Sequence, residues 1–551
     1  MGRIFKEVSR MNEERKLRRN ETVTNFMGGD SYQINPLDTL KMIAASSIFG
    51  EASYYRSNVR DGRYRFLAEY SDEFAKEVFS IYDGKSTTEI FQEAIDASLD
   101  YDFGATLELA AELRNTYNMR LNPQVIMVRA AIHPKRIEFT KEHPNEFNRI
   151  NQLVMHRADE PVTQLTYYLY LCEGKKNKIP SLLKRSTAKK LSSLSAYAVN
   201  KYKNAEIGMI NAVRITHAHS KVIDELMQTG AVAVTEQEQT WEQKRSAGMS
   251  WREIIESTDI GHMAMLRNLR NIFTEVQDIQ FCTGYLEKLK SGVLNGRQFP
   301  FRYYAAYNAV KSASDIHHQD EILKALEECM DISLGNMPKL RGRTMCLSDN
   351  SGSAWGCIPS EYGSVTIAEI DNLSSVIAAK CSDEGEVGKF GDTLVRFGVK
   401  GSVLERTRAV TKERYSDVGA STEGGIWKFF RDAIKKKTYY DNIFIFSDQQ
   451  AGTGGLYGTS QDKREYEEKH YSCHHNYINV YKLVLDYRRM VNPKVNVFSV
   501  QTAGYNNILL PQMSYRCAML TGWTGKEIQF AAEYIRQWDE IEQNARKQIE
   551  N

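Results

Sequence analysis

The sequence predicts two fold classes in one chain: α-helical repeats up to about residue 337, then a doubly wound α/β domain from 338 to 551. Three observations predict this. From about residue 35 to 330 apolar residues recur at spacings of three and four, with almost no strand-like alternation. After Pro338 short β-rich runs alternate with helical stretches, the pattern of an open, mostly parallel sheet. Finally, 551 residues exceed what one hydrophobic core ordinarily holds.

The helices begin with Asn35-Pro36, a cap and a proline at the first helical position, followed by an apolar stripe of Leu37, Leu40, Ile43, Ala44 and Ile48. Asn122-Pro123 predicts a second start of the same kind. Ser86-Thr87-Thr88-Glu89 has the form of a capping box before Ile90, Phe91, Ala94, Ile95 and Leu99. Many helices of ordinary length joined by short polar turns suggest stacked pairs in a solenoid or a closed ring, although no crisp repeat is visible. The boundary is expected within Gly335–Gly342, giving domains 1–337 and 338–551. Beyond it the runs RTMCLSD, DTLVRFG, DNIFIFSD and KVNVFSVQT read as strands. TIAEIDNLSSVIAAKC, GIWKFFRDAIKKK and YINVYKLVLDYRRM read as the helices between them.

Composition narrows the function classes. With 72 Lys and Arg against 70 Asp and Glu the net charge is +2, so any surface for an anionic partner must be local. No apolar run approaches the roughly 18 residues of a membrane helix, and the N-terminus is charged where a signal peptide is apolar. Lys6 occupies the position where a myristoylation signal has Ser or Thr. Eight cysteines without a CxxC pair suit reduced thiols, and a cytoplasmic protein is expected. The cluster His470, Cys473, His474 and His475 is a weak candidate for zinc. Gly84-Lys85-Ser86 is no P-loop, because Phe79 stands where the first glycine belongs.

In open α/β sheets ligands bind at the carboxyl ends of strands. Asp349, Ser351 and Ser353 follow the first strand of the second half, Asp448 follows NIFIF, and Thr422 lies in the small-residue loop GASTEGG. Two carboxylates and three hydroxyls, completed by water, suit Mg²⁺ or Mn²⁺. The plainer alternative is a polar turn, since Asp and Ser are common turn residues. The set resembles the metal-ion-dependent adhesion site of von Willebrand factor A domains, a binding device with no evident catalytic base. A nuclease would ordinarily need paired metals and several carboxylates, so no enzyme is expected.

The helical half carries Lys175, Lys176, Lys178, Lys184, Arg185, Lys189, Lys190, Lys201 and Lys203 with no acidic residue between the first and the last. Such a run is ordinarily a solvated face; its density without counter-charge is also what phosphate contacts need. Further on, Met265, Leu266, Leu269 and Ile272 form a helical stripe, leaving Arg267, Asn268, Arg270 and Asn271 to meet phosphates and base edges of an unpaired strand.

The order of these features, with AVNKYK (Ala198–Lys203), AVRITH (Ala212–His217), TWE (Thr240–Glu242), MLRNLRNI (Met265–Ile272) and FPFRYYAAYNAVKSA (Phe299–Ala313), resembles the Ro autoantigen family, the TROVE-module proteins. The resemblance runs from NFMGGDSYQINPLDTL nearly to the C-terminus. It implies a monomeric ring of HEAT-like helix pairs closed by a von Willebrand factor A domain. Y RNA or a Y-like non-coding RNA would lie on the outer surface, and single-stranded 3′ ends of misfolded RNAs would enter the centre. The expected role is RNA quality control or RNA processing, with an exoribonuclease tethered through RNA. By matching position, Lys201, Lys203 and His217 would contact the Y RNA, with Lys184, Arg185, Lys189 and Lys190 extending that surface, and Asp349, Ser351, Ser353, Thr422 and Asp448 would be the metal residues. The chain departs from the pattern at Asn204-Ala205, where the better-known members have Gln-Arg, so one arginine contact is missing. His217 also reads as an ordinary buried histidine. The resemblance assigns no role to Gly452–His475. The alternative class is a metal-dependent protein-interaction adaptor without RNA binding.

Overall fold

The structure, a computed structural model, describes residues 22–24, 30–32, 35–45, 87–117, 119–172, 179–202, 207–233, 239–356, 365–420, 424–448, 456–457, 477–478, 480–502, 510, 516–521 and 525–550. Lys6, the Gly84–Ser86 motif, Lys175, Lys176, Lys178, Lys203, Asn204-Ala205, Thr422 and the His470–His475 cluster lie outside the described residues. Two compact units emerge. A helical unit comprises Thr39–Glu51 and Thr88–Asp278; a sheet unit comprises Met1–Asp38, Ala52–Thr87 and Ile279–Asn551.

In the helical unit each helix packs on the next ones in the chain. Phe103–Asn115 lies on Asn122–Ile132 and Glu146–Val154, Asn122–Ile132 on Glu160–Leu171, and Ser181–Ser192 on Glu160–Leu171 and Met209–Thr216. The spacing of three and four turns Leu107, Leu113, Ile126, Val154 and Leu165 into the interior. A buried polar chain joins four of these helices. Gln164 Nε2 donates to Gln124 Oε1 at 2.7 Å and to Asn151 Oδ1 at 2.7 Å, and Asn151 Nδ2 donates to Ser186 Oγ at 2.8 Å. Such a chain fixes helix register, because a slipped helix leaves buried amides unpaired.

One helix start differs from the sequence expectation. Asn122 is the first residue inside its helix, and Leu121 occupies the cap without a side-chain bond. The Asn122 amide is spent elsewhere: Nδ2 donates to Ala44 O at 2.8 Å, tethering the Pro36–Ala45 helix. The Thr87–Tyr101 helix begins where the capping box predicts, but Ser86 lies outside the described residues.

The sheet unit is built on six strands: β1 Leu340–Asp349, β2 Ser382–Phe390, β3 Leu394–Gly398, β4 Asn442–Ser447, β5 Asn496–Gln501 and β6 Cys517–Thr521. Their order is β6-β5-β4-β1-β2-β3, parallel except for the β2–β3 hairpin at one edge. This is the doubly wound α/β class the sequence predicts, following a helical array. Leu347, Ile445 and Val497 share one core with the helices Gly425–Lys435 and Val480–Met490. Ile367–Lys380 and Lys526–Glu550 pack on the sheet as well, the first on β1, β2 and β4 and the second on β5 and β6. The helices from Ile279 to Ser333 belong to this unit, where the Val403 amide donates to Asp331 Oδ1 at 2.8 Å. Residue period therefore changes near 338, whereas packing divides the chain at 278.

Candidate functional site

The carboxyl end of β1 runs into Asp349, and the next three residues bring two hydroxyls back over it. Asp349 is fully buried; Oδ1 accepts the Ser351 amide at 2.9 Å and Oδ2 accepts the Ser447 hydroxyl at 2.6 Å. Ser351 Oγ and Ser353 Oγ stand 3.0 Å apart and share a hydrogen bond. The Asn350 amide donates to Phe390 O at the end of β2, and the Gly352 amide donates to Ala420 O at 2.6 Å. A side chain on Gly352 would bring its Cβ within 3.3 Å of that carbonyl, so the close approach suits glycine. The bond to Ala420 brings the loop that leads to Thr422 against the serines. Asp448 follows β4, the neighbour of β1, and is 1% exposed. The structure thus gathers Asp349, Ser351 and Ser353 in one loop at the strand ends and places Asp448 at the end of the adjacent strand.

Burial pushes the Asp349 carboxyl up from the usual carboxylate range, and the bonds from Ser447 and Ser351 oppose this. Those partners are a hydroxyl and an amide, and neither carries charge. Burial favours the neutral form of this carboxyl, a penalty that a bound cation would offset, and the oxygen donors gathered here, Asp349 with the Ser351 and Ser353 hydroxyls, are of the kind a divalent ion takes. Among the described residues no three His, Cys, Asp or Glu groups converge on one point. An ion here would therefore rest on few carboxylates, with hydroxyls and water as the remaining oxygen ligands, as Mg²⁺ tolerates. Sequence reasoning missed Asp371, which lies on the Ile367–Lys380 helix and interacts with both Asp349 and Asp448. The available signal was one acidic residue within an otherwise apolar and small-residue run.

A second site lies on the helical unit. Leu183, Ser186, Thr187 and Leu191 of Ser181–Ser192 face inward, which leaves Arg185 and Lys189 exposed one turn apart and Lys184 and Lys190 half-exposed. Lys190 Nζ donates to His156 O at 3.1 Å, so this cation is anchored at the entrance to the preceding helix. Beside it Arg157 stacks on Tyr202, with its guanidinium 5.4 Å from the ring centre, and donates from Nη2 to the Tyr202 hydroxyl. The Lys201 ammonium lies 5.7 Å from the ring centres of both Tyr197 and Tyr202. Tyr197 is 42% exposed, and Lys201 is exposed too.

His217 is exposed and left-handed at φ 58°, closing the Met209–Thr216 helix by donating its amide to Val213 O at 2.7 Å. The buried-histidine alternative does not apply. Two residues on, the His219 amide donates to Ser192 Oγ at 3.1 Å, which holds this turn at the end of the Ser181–Ser192 helix carrying Lys189 and Lys190. The structure thereby joins Lys189, Lys190, Lys201 and His217 around one end of one helix pair. It adds Arg157, Tyr197 and Tyr202, which no sequence spacing had linked to the lysines.

The Arg267–Asn271 stretch differs from expectation. Two short helices, His262–Arg267 and Leu269–Glu275, replace one. Asn268 sits at the junction, turned inward: Nδ2 donates to Ala264 O at 2.9 Å and Oδ1 accepts from Asn271 at 3.2 Å. Its side chain closes the first helix and is unavailable to a base edge. Arg267 and Arg270 remain exposed.

Residues 225–327 match the family model described as the TROVE domain. Among solved structures the chain is similar to the crystal structure of the Deinococcus radiodurans Ro (RSR) protein, with a TM-score of 0.55 and 12% sequence identity over 81% of this chain and 93% of that one. None of the curated proteins matches the chain by sequence. Residues 225–327 thus carry a TROVE-domain match, and the chain as a whole shares its fold with a Ro protein over most of both chains.

Proposed function

We propose that the protein is a non-enzymatic RNA-binding protein that holds a small structured non-coding RNA, of Y or Y-like type, on the helical unit and engages single-stranded 3′ ends of misfolded RNA in RNA quality control. The observation that carries this reading is the cationic face of Ser181–Ser192 with Lys201 and His217 at its end. Its inner side is buried and its outer side bears four cations without an acidic neighbour along the helix. Each phosphate neutralised there releases condensed counterions, which gives affinity without reading base sequence. The exposed Tyr197 ring beside Lys201 supplies what an unpaired base can stack on. Arg267 and Arg270 extend the candidate contacts. In the sheet unit, Asp349, Ser351 and Ser353 with Asp448 and Thr422 would hold Mg²⁺ or Mn²⁺. Bound there, the ion supplies an open coordination position for an acidic partner group or water.

The test is fluorescence anisotropy with a labelled Y-type stem-loop and a labelled 3′-tailed RNA, between about 50 and 200 mM salt, the range over which phosphate contacts are most visible. Wild-type affinity is expected to fall steeply with salt, and a variant with Lys184, Arg185, Lys189 and Lys190 all changed to Gln should bind more weakly with a shallower slope. Equal binding by both proteins across the range overturns the assignment, and wild-type protein that binds neither RNA leaves the protein-interaction adaptor as the better reading. Labelled RNA incubated with Mg²⁺ should stay intact. Turnover abolished by Asp349→Ala would instead identify a nuclease.

A further inference from the structure

The Ile367–Lys380 helix is buried on all sides, so its residues have no solvent face to choose. Ile370, Leu373, Val376 and Ile377 suit that position, and Asp371 does not. Its side chain is fully buried, and neither carboxylate oxygen receives a hydrogen bond. The Thr502 hydroxyl, just past β5, lies beside it and favours the charged form, yet is itself without a properly formed bond. The acidic groups that face Asp371 are Asp349 and Asp448, and both act on it repulsively. Three carboxylates, at 0%, 0% and 1% exposure, therefore share one buried region at the strand ends.

The next residue explains why Asp371 cannot turn away. Asn372 Oδ1 accepts from Ser348 Oγ at 2.7 Å and from Asn350 Nδ2 at 2.8 Å, and Asn372 Nδ2 donates to Asn350 Oδ1 at 3.1 Å. These bonds pin the helix to the loop that carries Asp349, Ser351 and Ser353. A fixed, buried carboxyl whose two oxygens have no hydrogen-bond partner, close to two more acids, is a group whose ionised form a nearby cation would stabilise. Because no three acidic groups among the described residues converge on one point, Asp371 would act from outside the ion's immediate ligands. Outer partners of this kind orient water and ligands and tune affinity.

We propose that Asp371 is a positioning residue of the cation site, a third carboxylate that strengthens divalent-cation binding through water and is itself compensated by the ion. This rests on the reading of Asp349, Ser351, Ser353 and Asp448 as a cation site. The experiment is Mn²⁺ titration of the full-length protein, followed by electron paramagnetic resonance, together with thermal melts in chelator and in saturating Mn²⁺. Wild type, Asp349→Ala, Asp371→Asn and, should Asp371→Asn fail to fold, Asp371→Ser are compared. Asp371→Asn should bind Mn²⁺ about 10- to 100-fold more weakly, the range found for outer partners. In chelator it should melt no lower than wild type, because a buried charge has been removed, and it should gain less from Mn²⁺.

Unchanged Mn²⁺ affinity in Asp371→Asn, with binding lost in Asp349→Ala, overturns the role of Asp371 and leaves the site standing. A lower melting temperature in chelator with the same Mn²⁺ shift as wild type does likewise, since it marks a purely structural residue. Wild-type protein that binds no Mn²⁺, or binds it as well as Asp349→Ala does, overturns both.

Discussion

The helical unit and the sheet unit place charge in opposite settings. Arg185, Lys189 and Lys201 stand in water on the helical surface, whereas Asp349 and Asp448 are buried at the ends of strands and Asp371 is buried in the Ile367–Lys380 helix. Exposed charges are screened and act by number, so any one of them is dispensable and their sum depends on salt. Buried charges are screened little, and each needs its own compensation, so one substitution decides the outcome. The same difference separates a surface suited to a long, flexible polyanion from a site suited to a single small ion.

The largest expected effect lies at the buried site. Asp349→Ala should lower Mn²⁺ affinity by more than about 100-fold, beyond the range attached to outer partners, while RNA affinity stays at the wild-type level. Parallel loss of both in a folded protein, checked by circular dichroism, would erase the distinction between the two regions. Next comes the cationic face. Changing Lys184, Arg185, Lys189 and Lys190 together to Gln should reduce RNA affinity on the order of 10- to 100-fold at low salt and leave Mn²⁺ binding intact. Any single member should cost only a few-fold, in keeping with the additive behaviour of phosphate contacts.

Smaller effects sharpen the contrast within the helical unit. Tyr197→Ala should weaken binding of unpaired RNA by about 1 kcal/mol or somewhat more, the lower part of the range for stacking on one aromatic side chain. Tyr197→Phe should be neutral, because the ring does the stacking, and a loss in that variant would point to the hydroxyl instead. The smallest change concerns Asn268, whose hydrogen bonds to Ala264 and Asn271 serve the fold. Asn268→Ala should lower stability in thermal or urea unfolding by about 1 kcal/mol, the usual net value of such a bond. Its RNA affinity should match wild type, and a selective loss of affinity would return this residue to the interface.

Much of this arrangement is legible in the sequence because burial writes itself as period. The run Asn442–Ser447 is apolar enough to mark a central strand, and it occupies one, between β1 and β5. Asp349, Ser351 and Ser353 are recognisable because their polarity interrupts such a strand at its carboxyl end. Strand β2 is less visible: only Val387–Phe390 of Ser382–Phe390 is buried, so its first half is polar. Period also says that a helix face is covered without saying by what. The helices from Ile279 to Ser333 carry the same spacing of three and four as those before them, yet pack with the sheet.

Asp371 escaped for a related reason. A single acid in a helical run reads as a solvent-facing position, and only the packing of Ile367–Lys380 on every side reveals that no such position exists. The meeting of Arg157 with Tyr202, 45 residues apart in the chain, likewise depends on how two helices end side by side.

The salt dependence of RNA binding tests the cationic face of Ser181–Ser192 most directly. Log affinity plotted against log salt for an unpaired RNA should give a steep negative slope in the wild type. Replacing Lys184, Arg185, Lys189 and Lys190 with Gln should make that slope shallower by up to about 3, at roughly 0.7 per lost phosphate contact. An identical slope and an identical affinity in the two proteins would show that the cationic face of Ser181–Ser192 plays no part in holding RNA.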